Sequence, residues 1–229
     1  MKKKNYSYIW ISAVILIFGI IFIPDIVERI KNNDIVDHDR HAIGERKEKP
    51  QELLTIGKVP AFTFTDQHGA TISNKEYEGK VYVVEFFFTT CPTICPVMNK
   101  NMVTLQNEFS GTPDFGIASF TINPEHDTPE VLKAYADEYK VTHKNWHMMT
   151  GEKEKIFELA NKGFNLYVGE SNEAAGGFEH SGMFALIDRE GNIRSRKDTS
   201  GNPLVYYDGM EAAGITMLKK DIAILLKEE

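Results

Sequence analysis

The chain has 229 residues, 42% of them hydrophobic, which suffices for one sizeable folded domain and an appended segment. Its formal net charge is −7, and Lys2, Lys3 and Lys4 contribute +3, so the rest of the chain sums to −10. Nucleic-acid binding depends on Lys and Arg side chains that neutralise phosphates, and this acidic balance therefore excludes nucleic acid as a partner.

The N-terminal segment is predicted to be an uncleaved membrane anchor. After the three lysines, residues 6–24 carry no charge and contain an apolar run near the lower length limit of a membrane-spanning helix. No small-x-small cleavage site follows the run, which disfavours a signal peptide. The basic N-terminus predicts that residues 1–24 cross a bacterial-type inner (cytoplasmic) membrane once. The N-terminus would lie in the cytoplasm and the following domain in the periplasm or another extracytoplasmic space.

The remainder of the chain is predicted to be a tether followed by one domain. Residues 25–52 read as a solvated linker, because half of the residues from 25 to 50 are charged and the apolar ones lack periodicity. The domain is predicted to span residues 53–229. Strands are predicted near 62–73 (a hairpin), 81–88, 115–122, 146–149, 164–168, 183–188 and 193–196, and helices near 97–105, 129–139, 152–162 and 210–226. This alternation, with a hairpin near the end, predicts an α/β fold with a mixed sheet flanked by helices.

Both cysteines of the chain, Cys91 and Cys95, lie between a predicted buried strand and a predicted helix. A helix N-terminus favours thiolate over thiol, and three intervening residues place the sulfurs about one helical turn apart. Such a pair can form a disulfide, act as a dithiol redox couple, or bind a soft metal ion such as copper(I) or zinc. A structural disulfide would close too short a loop to stabilise much. The pair alone does not separate the other two possibilities.

The other soft-ligand candidates are predicted to be ordinary residues. His126, His143 and His147 read as surface or partly buried histidines. Met98 and Met102 follow helical spacing, which is more typical of a core face than of a thioether ligand pair. His180 lies at the entry to a predicted strand. Without further information, it would also be interpreted as a surface histidine.

Four short segments stand out in the predicted domain. They are C-P-T-I-C-P at 91–96, T-I-N-P-E-H-D-T-P at 121–129, W-x-x-x-T-G at 146–151 and E-H-S-x-x-x-x-L-I-D at 179–188. In this order, behind one N-terminal hydrophobic segment, they resemble the SCO/SenC family of membrane-tethered copper-handling proteins, and the resemblance spans about residues 53–226. It implies a thioredoxin-like, peroxiredoxin-related fold.

The resemblance implies a copper site made by Cys91, Cys95 and His180, and a role in assembling the copper A centre of cytochrome c oxidase. The implied partners are the copper A subunit of the oxidase and a periplasmic copper donor. Two thiolates and one imidazole form a soft ligand set that suits copper(I) and can also hold copper(II). Structural zinc usually takes four protein ligands, and three are evident here. We hypothesise that opening of the loop at residues 169–179 releases copper.

One position departs from the pattern of the family. Asn123 stands where the family commonly carries an aspartate at the end of a strand. An amide cannot supply the charge with which an acid would tune copper(II), and Glu179 is predicted to supply a carboxylate near the site instead.

The main alternative function is a thiol–disulfide reductase that keeps the acceptor's copper-ligand cysteines reduced. Its redox pair would be Cys91 and Cys95, and it would make the chain an enzyme, which copper delivery does not. A peroxiredoxin is disfavoured, because neither cysteine has a Thr or Ser three residues before it and a Pro seven residues before it.

Overall fold

A computed structural model of the chain describes residues 52–198 and 200–228, together with Ile11, Leu16 and Phe18. The chain divides into two units, Met1–Lys49 and Pro50–Glu229. Within the described residues, no helix is long and apolar enough to cross a membrane. Apart from those three isolated helical positions, the predicted anchor at 1–24 lies outside the described residues, as does nearly all of the predicted linker at 25–52. Both stay predictions.

The second unit is built on a mixed sheet. Its strands, and those of a separate hairpin, are β1 (Leu54–Lys58), β2 (Thr63–Asp66), β3 (Thr71–Ser73), β4 (Val81–Phe87), β5 (Phe115–Thr121), β6 (Trp146–Thr150), β7 (Val168–Glu170), β8 (Phe178–His180), β9 (Met183–Ile187), β10 (Asn192–Ser195) and β11 (Tyr207–Asp208). The order across the sheet is β1-β10-β9-β4-β5-β6-β2-β3, with β11 paired to β9. The central strands β4, β5 and β6 are parallel, whereas β9 and β2 flank them in antiparallel pairing. The predicted mixed sheet is confirmed.

Four α-helices accompany the sheet in the described part of the chain. They are α1 (Cys95–Glu108), α2 (Pro129–Glu138), α3 (Lys153–Glu158) and α4 (Ala212–Leu225). A 3-10 turn at Asn74–Tyr77 and a π-helical turn at Leu159–Gly163 complete the set, and the latter ends the helix predicted at 152–162. Helix α2 begins as predicted, since the Thr128 side chain accepts from the Val131 N–H and Pro129 occupies the first turn.

The core lies around the central parallel strands. Every residue of β4 and β5 is buried, as expected for parallel strands covered on both faces. Met98 and Met102 of α1 are completely buried, which confirms that they form a core face. The two strands pair in register from Val81 with Phe115 to Phe87 with Thr121. They therefore end together, and the loops that follow them meet at one edge of the sheet.

The segment from 169 to 179 differs from its predicted loop structure. It forms most of an antiparallel hairpin in which β7 pairs with β8 and Val168 lies opposite His180. Gly176 and Gly177, both with φ of +85°, make the turn. The strands are short and partly exposed, so they show no apolar periodicity from which a hairpin could be predicted.

Candidate metal centre

The two cysteines lie where β4 leaves the sheet and α1 begins. Cys95 is the first residue of α1, and Cys91 lies in the preceding turn, where its N–H donates to the Phe88 carbonyl at 3.3 Å. The predicted thiol at a helix N-terminus is confirmed for Cys95, whereas Cys91 precedes the helix. Both are free thiols, with Cys91 7% exposed and Cys95 0% exposed. Cys91 is therefore the sulfur nearer to solvent.

His180 approaches the cysteines from the end of β8. Its Nε2 lies 3.2 Å from the Cys95 Sγ, and the ligand atoms of Cys91, Cys95 and His180 all lie within 4.8 Å of one another. Its Nδ1 lies 3.1 Å from the carbonyl oxygen of Ser181. A carbonyl only accepts, so Nδ1 carries the hydrogen of the neutral ring and Nε2 keeps a lone pair directed at the sulfur. The structure thus brings the three predicted ligand residues together.

The pKa values of the two thiols are shifted in opposite directions. A hydrogen bond with Cys95 is the main cause that holds the pKa of the Cys91 thiol well below its usual range. The same interaction, together with burial, raises the pKa of Cys95. A thiolate at Cys91 and a thiol at Cys95 are the resulting state of the reduced pair. Because a thiolate is both a metal ligand and a nucleophile, the pair can bind a soft cation or enter thiol–disulfide exchange.

An aromatic wall holds the imidazole in place. The Phe88 ring is buried, meets the His180 ring edge-on at 5.8 Å between centroids, and packs against Phe178 at 5.4 Å. The hairpin turn closes over it, since a Cβ built on Gly176 would lie 2.7 Å from the Phe88 ring. Packing of the hairpin against Phe88 therefore helps to position His180.

A buried aspartate ties the cysteine loop to the neighbouring strand. Asp127 is completely buried and accepts hydrogen bonds from the Thr89 N–H at 3.0 Å, from the Thr89 and Thr121 hydroxyls, and from His126 Nδ1 at 2.8 Å. These bonds join the loop after β4 to the end of β5. Asp127 directly precedes Thr128, the N-cap residue of α2. In the sequence, the one indication that Asp127 joins these segments is its place in the family segment at 121–129.

The remaining sequence candidates lie outside the cluster. His126 is bound to Asp127, His147 pairs with Asp66 at 2.9 Å, and His143 packs edge-on against Phe115. Asn123 shapes the turn after β5, where its N–H donates to the Thr121 hydroxyl at 3.1 Å.

The expectation for Glu179 is corrected by its place in the hairpin. Glu179 is exposed, whereas His180, its neighbour on β8, is partly buried against Phe88. Successive residues of a strand point to opposite faces, so the side chain of Glu179 lies on the face away from the imidazole.

Three comparisons with known proteins bear on this geometry. The family model described as SCO1/SenC matches residues 51–213. The SCO1 protein homolog of Bacillus subtilis (strain 168) is 35% identical over 153 residues, which is 66% of this chain and 78% of that protein. The solved structure of BsSco, described as a member of the Sco family of cytochrome c oxidase assembly proteins with a disulfide switch, matches with a TM-score of 0.64 at 29% identity and covers 76% of this chain and 97% of that one.

A more distant structure shares the fold. Bradyrhizobium japonicum ScoI, solved with copper bound, has a TM-score of 0.55 and 20% identity, and the match covers 71% of this chain and 98% of that one. The expected fold is thereby confirmed at the level of the Sco structures.

Proposed function

We propose a copper-handling function from one premise, which is that the chain belongs to the SCO1/SenC family. The chain binds copper as its cargo through the Sγ atoms of Cys91 and Cys95 and the Nε2 atom of His180, and delivers it to the copper A centre of cytochrome c oxidase. The observation that carries the proposal is the convergence of these three soft ligand atoms within 4.8 Å. Two thiolates and an imidazole favour copper(I), and they can also hold copper(II).

The hydrogen bond of His180 to Ser181 prepares the ring for metal binding. Ligating histidines generally donate their second nitrogen to a carbonyl or carboxylate, which fixes the tautomer and the ring orientation. Here the Nδ1 hydrogen points to the Ser181 carbonyl at 3.1 Å. The Nε2 lone pair is therefore available without a change of tautomer.

Release begins on the His180 side of the site. The two sulfurs lie on the buried framework of β4 and α1, whereas the imidazole lies on the β7–β8 hairpin. Outward movement of that hairpin withdraws one ligand and leaves a two-sulfur site that an acceptor thiolate can enter. The loop opening predicted from the sequence is thus proposed as a movement of the whole hairpin.

In this proposal the domain is tethered to a membrane by the N-terminal segment. Residues 6–24 anchor the chain in a bacterial-type cytoplasmic membrane, and the domain faces the periplasm or an equivalent space. That side is where the copper A domain of the oxidase and a copper donor would meet it.

A second candidate function is a thiol–disulfide reductase. Two adjacent free thiols favour it, because Cys91 is the more accessible and carries the thiolate, while Cys95 is positioned to resolve a mixed disulfide. The relative BsSco is described as having a disulfide switch. Exchange needs the two sulfurs only, whereas copper binding also needs His180.

The deciding experiment is a copper(I) titration of the reduced chain against a competing chelator, with His180→Ala as the test variant. His68→Ala, at an exposed turn, is the matched control. We expect one tightly bound equivalent for the wild type and the control, and a loss of at least about tenfold in affinity for His180→Ala, since even residues that only support a ligand typically contribute that much. Affinity that is weak and indifferent to His180 would favour the reductase.

A further inference from the structure

The turn between the two cysteines carries a hydroxyl group that the proposed copper site does not use. Thr93 is exposed and lies midway between Cys91 and Cys95 in the sequence. Its Oγ1 lies 3.6 Å from the Cys91 Sγ, a distance at which a sulfur atom, being larger than oxygen, still forms a hydrogen bond. Among the described residues it is the one hydroxyl group bonded to either sulfur.

The charge state of Cys91 decides the direction of this bond. A thiol and a hydroxyl can each donate, so the bond can run either way in the metal-free pair. A metal-bound cysteine is a thiolate, which has no hydrogen to give. With metal in the site, the Thr93 hydroxyl is therefore the donor and the Cys91 sulfur is the acceptor.

The turn that carries Thr93 is held at both ends. Before it, the Cys91 N–H donates to the Phe88 carbonyl at 3.3 Å. After it, the Ile94 carbonyl accepts from two N–H groups in the first turn of α1, each at 3.0 Å. The hydroxyl thus lies beside the sulfur before any metal binds, and the bond requires no rearrangement of the turn.

The two sulfurs have different polar neighbours. The Cys95 Sγ is completely buried and faces the Nε2 of His180 at 3.2 Å. The Cys91 Sγ is nearer to solvent and is the sulfur that meets the hydroxyl of Thr93. The hydroxyl therefore acts on one of the three proposed ligand atoms, and it acts on the exposed side of the site.

We propose that Thr93 is a positioning residue of the copper site, whose hydroxyl donates to the Cys91 thiolate and shifts bound copper toward the monovalent state. This inference rests on the proposed function, because it takes the two cysteines and His180 as the copper ligands. The couple concerned is the transfer of one electron between bound copper and a soluble one-electron mediator, with all three ligands retained.

The charges of the site give the direction of the effect. Two thiolates and a neutral imidazole carry a net charge of about −1 around copper(I), and the same ligands give a neutral site around copper(II). The hydroxyl directs the positive end of its dipole at the sulfur, so it stabilises the more negative state more strongly. Hydrogen bonds around a ligating cysteine sulfur tune copper reduction potentials in proteins. The bond from Thr93 therefore raises the reduction potential of bound copper.

The test replaces the hydroxyl by a methyl group of similar size. Thr93→Val keeps the branched side chain and removes the donor, whereas Thr93→Ser keeps the donor and removes the methyl group. Thr104→Val is the matched control, because Thr104 is an exposed threonine of α1 whose hydroxyl donates to the Lys100 carbonyl at 3.0 Å. All three substitutions are at exposed positions, where they should leave the fold intact.

Potentiometry of the copper-loaded full-length chain with soluble mediators measures the effect. For Thr93→Val we expect the ratio of copper(II) affinity to copper(I) affinity to rise about three- to tenfold, the range for one hydrogen bond. For a one-electron couple this rise lowers the reduction potential by about 30–60 mV. Thr93→Ser and Thr104→Val should keep the wild-type potential.

The absorption of the copper(II) form gives a second readout. A donor at the sulfur stabilises the sulfur electrons, so it raises the energy needed to move one of them to copper(II). Thr93→Val should therefore shift the sulfur-to-copper charge-transfer band to longer wavelength, and Thr93→Ser should restore its position. A merely structural role of the side chain would not move the band in this pattern.

A third readout needs no metal. In a glutathione buffer, the disulfide of Cys91 and Cys95 takes two electrons and two protons from two glutathione thiols and yields the dithiol and glutathione disulfide. Whichever group donates, the bond to Thr93 favours the reduced pair, because a disulfide sulfur has no hydrogen and accepts weakly. Thr93→Val should therefore shift this equilibrium about threefold toward the disulfide, and Thr93→Ser should follow the wild type.

The outcomes separate this inference from the proposed function. Equal potentials for the wild type and Thr93→Val, or a change that Thr93→Ser does not restore, would overturn the inference while copper binding itself stands. An unchanged glutathione equilibrium would show that the hydroxyl does not bond to the Cys91 sulfur, which would also overturn it. A chain that binds no copper would overturn the proposed function and this inference with it.

Discussion

The two sides of the metal centre are held in different ways. The cysteines lie on a buried framework, where Asp127 joins the loop after β4 to the end of β5 and Asn99 bonds to the Cys95 carbonyl. His180 lies on a partly exposed hairpin that contacts the body through Phe88 and through Lys153. The difference indicates a fixed pair of sulfurs and a ligand that can move. Mutations on the first side should mainly affect folding, and those on the second side should mainly affect metal retention.

The largest expected effect follows from Asp127→Ala. The substitution removes the acceptor of several hydrogen bonds: the buried Thr121 hydroxyl loses the acceptor of its hydrogen, and the half-buried Thr89 N–H loses its partner. We expect a loss of about 3 kcal/mol or more in the free energy of unfolding, since each unsatisfied buried donor costs about 1–3 kcal/mol. Urea unfolding of the metal-free chain measures it.

Asp137→Ala is the matched control for that loss. Asp137 lies near the end of α2, is 64% exposed and pairs only with Lys133 among the described residues. We expect its removal to change stability by no more than about 0.5 kcal/mol. A small effect of Asp127→Ala, similar to that of the control, would contradict a rigid cysteine side.

Alanine substitutions at two adjacent glycines of the hairpin turn test how the hairpin is held, with one of the two variants as the control for the other. Gly176 and Gly177 both have φ of +85°, but a Cβ on Gly176 would lie 2.7 Å from the Phe88 ring, whereas a Cβ on Gly177 would meet nothing within 4 Å. Alanine at either position costs about 1–2 kcal/mol for the left-handed backbone. Gly176→Ala should cost about 1–3 kcal/mol more, because the new methyl group overpacks the wall beside His180.

The same pair separates backbone strain from ligand position. Gly176→Ala should release copper(I) faster to a chelator, since it displaces the hairpin from Phe88, while Gly177→Ala should release it at nearly the wild-type rate. Stopped-flow transfer to the chelator gives both rates. Equal release rates in the two variants would show that the packing against Phe88 does not position the imidazole.

The same contrast explains which features were predictable from sequence. The cysteine side is local, because a buried apolar run, two cysteines and a helical pattern follow one another within residues 81–105, and the observed β4 and α1 match that order. The place of His180 depends on a hairpin without apolar periodicity, and only the family resemblance assigned it to the site.

The hydrogen bonds of Asp127 and Glu85 were missed for another reason. They arise from pairing between strands, since Glu85 lies opposite Ser119 in the β4–β5 ladder and accepts from its hydroxyl, and Asp127 bonds back to Thr89. Such partners are far apart in sequence, and no local pattern indicates them. A single acid inside the otherwise apolar run at 81–88 was the available signal for Glu85, because a charged residue is rarely buried without a specific partner.

The smallest expected effect concerns the latch of the hairpin, which we define as Lys153 with Glu170 and Phe178. Lys153 begins α3, forms an ion pair with Glu170, and lies 5.6 Å from the Phe178 ring centroid. Glu170 and Phe178 pair with each other across the hairpin, two positions from the pair of Val168 and His180. Lys153→Gln should therefore loosen the strand that carries the imidazole.

A partly exposed ion pair contributes at most about 1 kcal/mol, so Lys153→Gln should hardly change the free energy of unfolding. It should increase the rate of copper(I) release by a few-fold, up to about fivefold for 1 kcal/mol, and the rate of the variant should no longer respond to salt. Lys162→Gln, which breaks an exposed pair with Glu158 on the neighbouring turn, is the matched control and should leave release unchanged.

Salt raises the wild-type release rate if the latch acts as proposed, because screening weakens the pair of Lys153 with Glu170. A wild-type rate that does not depend on salt would show that the latch does not retain the hairpin, which would leave the packing against Phe88 and the two hydrogen bonds between Asn161 and Val168.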